Sequence, residues 1–281
     1  MLQRRIVEEP VSQLALWARR LALFSLVATV VSIIITRSGL MEIVPALATF
    51  AGALVFAVLG MLLALASLVA IWREGVDGLR SALTALAIGI ALLAYPAYLG
   101  FLAYRLPAIV DVTTDFDDPP QFEIIARLRP RGANPVAYAG DAAADLQREA
   151  YPNVAPLIVT TTPQQTFDAA LAVITKRRWS ILDQQPPQAG RRDGHIEAVA
   201  RTPIMGFRED VVLRVRADGD GARLDVRSAS RYGRLDFGSN ASRIQKLTDD
   251  IDVLLGTQAA EHKAPERTPP QRPGKSKPRK R

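Results

Sequence analysis

The stretch DVVLRVRADGDGARLDVRSASR, Asp210 to Arg231, decides the fold of the soluble half of this chain. Asp218-Gly219-Asp220-Gly221 lies at its centre, between two runs that alternate apolar and polar residues. That pattern predicts two antiparallel strands joined by a tight turn. A two-residue loop at Gly219-Asp220 fixes the register. Val215 then faces Leu224, and Leu213 faces Val226, on a side that must be buried. On the other side Arg214 faces Asp225, Arg216 faces Arg223 and Val212 faces Arg227, with Asp210 diagonal to Arg227. This charged side has two readings. It is a solvated sheet face whose ion pairs contribute about 0–1 kcal/mol each. Or it is a groove in which Arg201, Arg214, Arg227 and Arg231 hold an anionic group bidentately. Ser228 and Ser230 point with Leu224 and Val226 toward the core.

Working outward, LIVTT from Leu157 reads as a strand. Thr162-Pro163-Gln164-Gln165 carries a helix start, with Thr162 as N-cap and Gln165 completing a capping box. Phe167, Ala170, Leu171 and Ile174 continue it at helical spacing. Trp179 to Asp183 and Gly194 to Thr202 read as two more strands. The second alternates Ile196, Ala198 and Ala200 against His195, Glu197, Val199 and Arg201, and Glu197 and Arg201 join the charged face if this strand is adjacent. Tyr232 to Gly238 is a crossing. Asp236 there either bonds nearby arginines or serves the turn before a helix. Ser239 to Leu255 is that helix, with Ile244, Leu247, Ile251 and Leu254 on one face. Its start is capped by Ser239 or Asn240, or attracts an anion. The order β-α-β-β-β-β-α predicts an α+β domain over 157–256, an antiparallel sheet with helices on one face. Residues 107–156 read as an extended linker, because VTTDFDDPPQF resists a helix; Asp141 to Ala150 is a short helix within it.

Residues 1–106 hold three apolar runs, placing membrane helices at about 14–36, 43–72 and 81–104. The sixteen residues from Leu21 to Thr36 rise about 24 Å as a helix, short of the roughly 30 Å hydrocarbon core. Leu14 to Ala18 extend the span while Arg19 and Arg20 snorkel. The rival, a cleaved signal peptide, lacks a small-x-small cleavage site and is followed by further spans. Arg4, Arg5, Arg19, Arg20, Arg73 and Arg80 flank one side, against Arg37 and Arg105 on the other. The N-terminus is therefore expected in the cytoplasm of a plasma (inner) membrane protein, with the domain periplasmic or otherwise extracytoplasmic. The runs Leu21–Thr36, Ile43–Trp72 and Ser81–Tyr104 contain no charged side chain or histidine, which gives little support to a transport or channel subunit.

The formal charge is +7, but Gln258 to Arg281 carries eight Lys/Arg and two Glu. The excess belongs to a basic, proline-rich tail, residues 257–281, expected to be disordered. Nucleic acid is not expected as a partner, since that needs basic charge on an ordered surface. With no cysteine and two histidines, disulfides, thiolate chemistry and histidine-rich metal sites are excluded, and no cofactor is expected. No nucleophile elbow surrounds Ser228 or Ser230. A hydrolase or lyase would rest on His195 or on Asp210 with Asp225.

TTDFDDPPQF, REAYP…PL, GFREDVVLRVR and VRSASRYGRLDFGSNASRI together resemble the domain of unknown function 1499 family over roughly Asp111 to Leu255. The specific run maps onto Arg227, Ser228, Ser230, Arg231, Gly233, Asp236, Gly238, Asn240 and Arg243. Glu209 departs from a second aspartate but keeps the charge. The resemblance implies a domain boundary and no activity. The candidate ligand-binding set is Arg201, Asp210, Arg214, Arg227, Ser228, Ser230, Arg231, Asp236, Asn240 and Arg243, with no catalytic residue and no metal ligand. The expected partners are the lipid bilayer and an anionic ligand or envelope protein, held by a non-enzymatic binding or envelope-assembly domain.

Overall fold

Three apolar helices open the chain: α1 (Gln13–Ser38), α2 (Ile43–Glu74) and α3 (Leu79–Arg105). The computed structural model describes residues 10–40, 42–188 and 193–263. Among these residues the three helices are each long and apolar enough to cross a membrane. Ser12 caps α1 by accepting the Ala15 N–H, and Gly39 ends it in the left-handed region at φ 72°. Small residues make the seam between the helices: Ala15, Ala18, Ala22, Ala64, Ala82 and Ala85 are buried together. Ser25 Oγ donates to the Ala53 carbonyl at 2.8 Å across α1 and α2. In lipid, small side chains let backbones approach and interhelical hydrogen bonds replace the hydrophobic effect. Large side chains such as Phe24, Val27, Ile34, Val55 and Leu62 point outward, as a lipid-facing surface requires. A β-bridge between Val11 and Asp77 ties the start of α1 to the α2–α3 turn at one end of the bundle.

The rest of the chain runs β1 (Asp111–Thr113), α4 (Ile124–Leu128), α5 (Asp141–Ala150), β2 (Leu157–Val159), α6 (Pro163–Lys176), β3 (Ser180–Gln185), β4 (Gly194–Arg201), β5 (Arg208–Asp218), β6 (Gly221–Ser230) and α7 (Ser239–Lys263). All strands pair antiparallel in the order β1-β6-β5-β4-β3, and β2 also pairs with β6. The hairpin register is the expected one: Asp218 pairs Gly221, Val215 pairs Leu224, and Val212 pairs Arg227. Gly221 has a spatial reason to be glycine. A Cβ there would lie 2.0 Å from the Val159 carbonyl oxygen, so a side chain would expel β2. The capping box at Thr162 and Gln165 opens α6 as read.

α6 and α7 pack on one face of the sheet. Phe167, Ala170, Ile174, Ile244, Leu247 and Ile251 meet Ile196, Leu213, Val215, Leu224 and Val226 there. The opposite face departs from the solvated reading. It is covered by residues 114–140, and Phe122 and Ile125 pack on Val199, Val212 and Ala229. The supposed linker therefore includes a sheet strand, β1, and a short helix, α4, neither of which was expected. α7 continues through Gly256 to Lys263, into the stretch read as a disordered tail; the remainder of that tail lies outside the described residues.

Candidate functional site

On the covered face, Asp115 joins loop to sheet. Its Oδ1 accepts the N–H groups of Asp117 and Asp118, forming a tight turn. Its Oδ2 accepts from Arg214 at 3.1 Å, Arg216 at 2.8 Å and Arg223 at 3.1 Å. Asp225 accepts from Arg223 Nε at 2.8 Å and Arg214 at 3.2 Å, and Asp118 from Arg214 at 2.7 Å. Three arginines thus meet three aspartates, and the cross-strand pair of like charges, Arg216 and Arg223, shares Asp115. Burial pushes the Asp115 carboxyl up. The Asp118 N–H and the Arg223 and Arg214 charges, with the Arg216 hydrogen bond, outweigh that and leave it below its ordinary value.

Arg227 has no exposed surface. Its Nε and Nη2 hold Asp111 on β1, Nη2 at 2.6 Å, while Nη1 donates to the Pro120 carbonyl and Nη2 also to that of Val136. The guanidinium lies 4.9 Å from the Phe122 ring centroid and 5.5 Å from that of Tyr138. Asp210, also wholly buried, sits between Arg129 Nε at 2.7 Å and Arg231 Nε at 2.8 Å. Glu197 closes the row. Its Oε2 accepts the Ile125 N–H at 2.7 Å at the start of α4, and its Oε1 accepts the N–H groups of Glu123 and Ile124. His195 Nε2 lies 3.0 Å from the same Oε1. Burial pushes this carboxyl up, but the bond to His195 and the three backbone donors outweigh it and hold it below the ordinary range.

A second network lies on the other face, where β6 crosses to α7. Asn240 Oδ1 accepts from Ser228 Oγ at 2.8 Å and Arg243 at 2.6 Å. Its Nδ2 donates to Ser230 Oγ and to the Val110 carbonyl, both at 3.0 Å. Arg243 pairs with Glu209, which also accepts from Ser230 and Ser239. Asp236 accepts the N–H groups of Gly238 at 2.9 Å and Asn240 at 2.8 Å, so its role is the turn that starts α7 rather than a bond to arginine. Burial raises its pKa above the usual value.

The ten candidate residues therefore fall into three places. Asp210, Arg214, Arg227 and Arg231 lie under the 114–140 cover. Ser228, Ser230, Asp236, Asn240 and Arg243 lie at the β6–α7 crossing. Arg201 stands apart, exposed, donating to the Arg37 carbonyl at 2.9 Å. The groove reading joins Arg201 to Arg214, Arg227 and Arg231. Instead each of the latter three is bonded to carboxylates beneath a covering segment. Asp111, Asp115, Asp118 and Arg129 are partners that the hairpin pattern did not reveal. The acid-rich TTDFDD beside an arginine-rich hairpin was the available signal. Among the described residues, no group of three or more His, Cys, Asp or Glu side chains is placed to hold a metal ion.

No curated protein matches the chain. The solved structure of CalU16 from Micromonospora echinospora is similar at 14% identity and a TM-score of 0.25. That match covers 38% of this chain and 76% of that one, and carries no argument. Residues 111–251, half of the chain and the whole of both networks apart from Val110, match the family described as "Protein of unknown function (DUF1499)", and the chain belongs to it.

Proposed function

We propose that this is a non-enzymatic binding or envelope-assembly protein. Its three spans hold a rigid α+β domain on the extracytoplasmic side of the plasma (inner) membrane. The observation that carries the reading is the closed pairing of the motif. Arg214, Arg227, Arg231 and Arg243 are bonded to Asp115, Asp225, Asp111, Asp210 and Glu209, so the charges brace the domain instead of facing a substrate. The hydroxyls of Ser228 and Ser230 are bonded within the same brace. The flanking charges support this placement: Arg19, Arg20, Arg73 and Arg80 lie toward the end of the bundle where Val11 bridges Asp77, and Arg37 and Arg105 lie toward the domain.

With Asp210 and Asp225 each paired to arginines, the enzymatic alternative rests on the half-buried His195 beside Glu197. It is tested by complementing the phenotype of a deletion strain with His195→Ala. Full complementation at wild-type protein level is expected. Loss of complementation at an unchanged level would replace this reading with the hydrolase or lyase one.

A further inference from the structure

The arginines of the two networks have carboxylate partners. Among the described residues several arginines outside them have none, and three of those lie together. Arg37, Arg201 and Arg208 are exposed, and among the described residues none makes an ion pair. They converge on one spot. Arg37 is the last-turn residue of α1, and its Nη1 donates to the carbonyls of Pro203 and of Ile204, the latter at 3.0 Å, in the β4–β5 turn. Arg201 donates back to the Arg37 carbonyl at 2.9 Å. Arg208 is paired with Arg201 directly across the strands, and its Nη2 lies 3.8 Å from where a Gly39 Cβ would be. The turn is closed on itself by Thr202 N–H to the Phe207 carbonyl at 2.9 Å and Phe207 N–H to Thr202 Oγ1 at 2.9 Å, so the cluster sits on ordered backbone.

Like charges directly opposite on neighbouring strands repel. Here, among the described residues, the repulsion has no counter-charge, unlike Arg216 and Arg223, which share Asp115. The position supplies one. The apolar part of α1 ends at Thr36, so Arg37 stands where the span leaves the hydrocarbon and where phospholipid phosphates lie. Guanidinium groups bind phosphate oxygens bidentately. Leu40, three residues after Arg37, is 84% exposed.

We propose that Arg37, Arg201 and Arg208 form a site for the phosphate headgroup of an anionic phospholipid, which fastens the domain to the membrane at the end of α1. The inference holds whichever side of the bilayer the domain faces, so its failure leaves the proposed function standing. The bland alternative is that Arg201 and Arg208 only complement the carbonyl end of α1.

The test uses the full chain in nanodiscs of zwitterionic phospholipid alone or mixed with phosphatidylglycerol. Wild type is expected to retain the anionic lipid selectively, read by native mass spectrometry, and to melt higher in the mixed discs. Arg201→Gln with Arg208→Gln is expected to lower the ratio of anionic to zwitterionic lipid retained by about 25-fold, about five-fold per arginine near an anionic surface. Its melting temperature in zwitterionic discs should match wild type. Arg208→Gln alone, which removes no hydrogen bond, should give the single-residue effect if the double variant folds poorly. An unchanged lipid ratio in both variants would overturn the site and leave selectivity to the basic tail. Equal destabilisation in both disc types would assign the arginines to helix capping. A shift of the same size from inorganic phosphate in zwitterionic discs would overturn the lipid assignment in favour of free phosphate.

Discussion

Glu197 has no exposed surface, and its charge is held by three backbone N–H groups and His195. Glu197 and Asp115 both have carboxyls held below their ordinary values. Such groups stabilise the fold above the ordinary carboxylate range, about pH 4, because the native state binds fewer protons than the unfolded chain there. The contribution is lost as pH falls through the lowered native pKa. Glu197→Gln is therefore expected to lower the melting temperature at neutral pH and to flatten its decline on acidification, measured on the detergent-solubilised full chain. An identical acid slope in the variant would remove Glu197 from this role. Single residues were the least legible level of the sequence. Arg227 is legible as part of the charged hairpin face, but its partner Asp111 lies on β1, which pairs with β6 only in the folded sheet. A site reading and a bracing reading ask for the same residue types. What separates them is whether a carboxylate stands opposite, and the strand alternation within one hairpin cannot show that.

Elements with their own periodic signal were read correctly. The β5–β6 register followed from one turn, and α6 from its capping box, because in both cases local chemistry and apolar spacing agree. β1 and α4 carried no such signal. DVTTDFDDPPQF is polar and proline-bearing, and it is held by ion pairs to Arg214, Arg216, Arg223 and Arg227 together with isolated apolar anchors, Val112 and Phe122, rather than by a periodic apolar stripe, while α4, at five residues, is too short to show a helical period. β2 depends on a similar non-local fit. Gly221→Ala would drive a methyl group into the Val159 carbonyl. Overpacking of this kind costs about 1–3 kcal/mol. The variant is expected to melt lower and to lose hydrogen-exchange protection in β2, at Leu157–Val159, before the β5–β6 hairpin does. Uniform retention of protection there would show that β2 tolerates the side chain.

At the scale of the whole molecule, two kinds of core hold the soluble half. α6 and α7 bury an apolar layer on one face of the sheet, and residues 114–140 cover an ionic layer with a small apolar cluster on the other. The three apolar helices pack through a separate small-residue seam, and the Arg37 contact with the β4–β5 turn ties them to the domain. Reporter fusions after Tyr104 are expected to be active only outside the cytoplasm; cytoplasmic activity would invert the proposed orientation. The claim on which the account turns is that the family motif is an ionic brace. Removing one member of a buried pair strands the other charge and costs about 3–5 kcal/mol, whereas removing both leaves none. The direct test is a double-mutant cycle of Arg227→Met and Asp111→Leu by denaturant unfolding of the full chain. The account predicts that each single variant loses stability of that order and that the double variant loses much less than their sum. Additive losses, or single variants as stable as wild type, would contradict it.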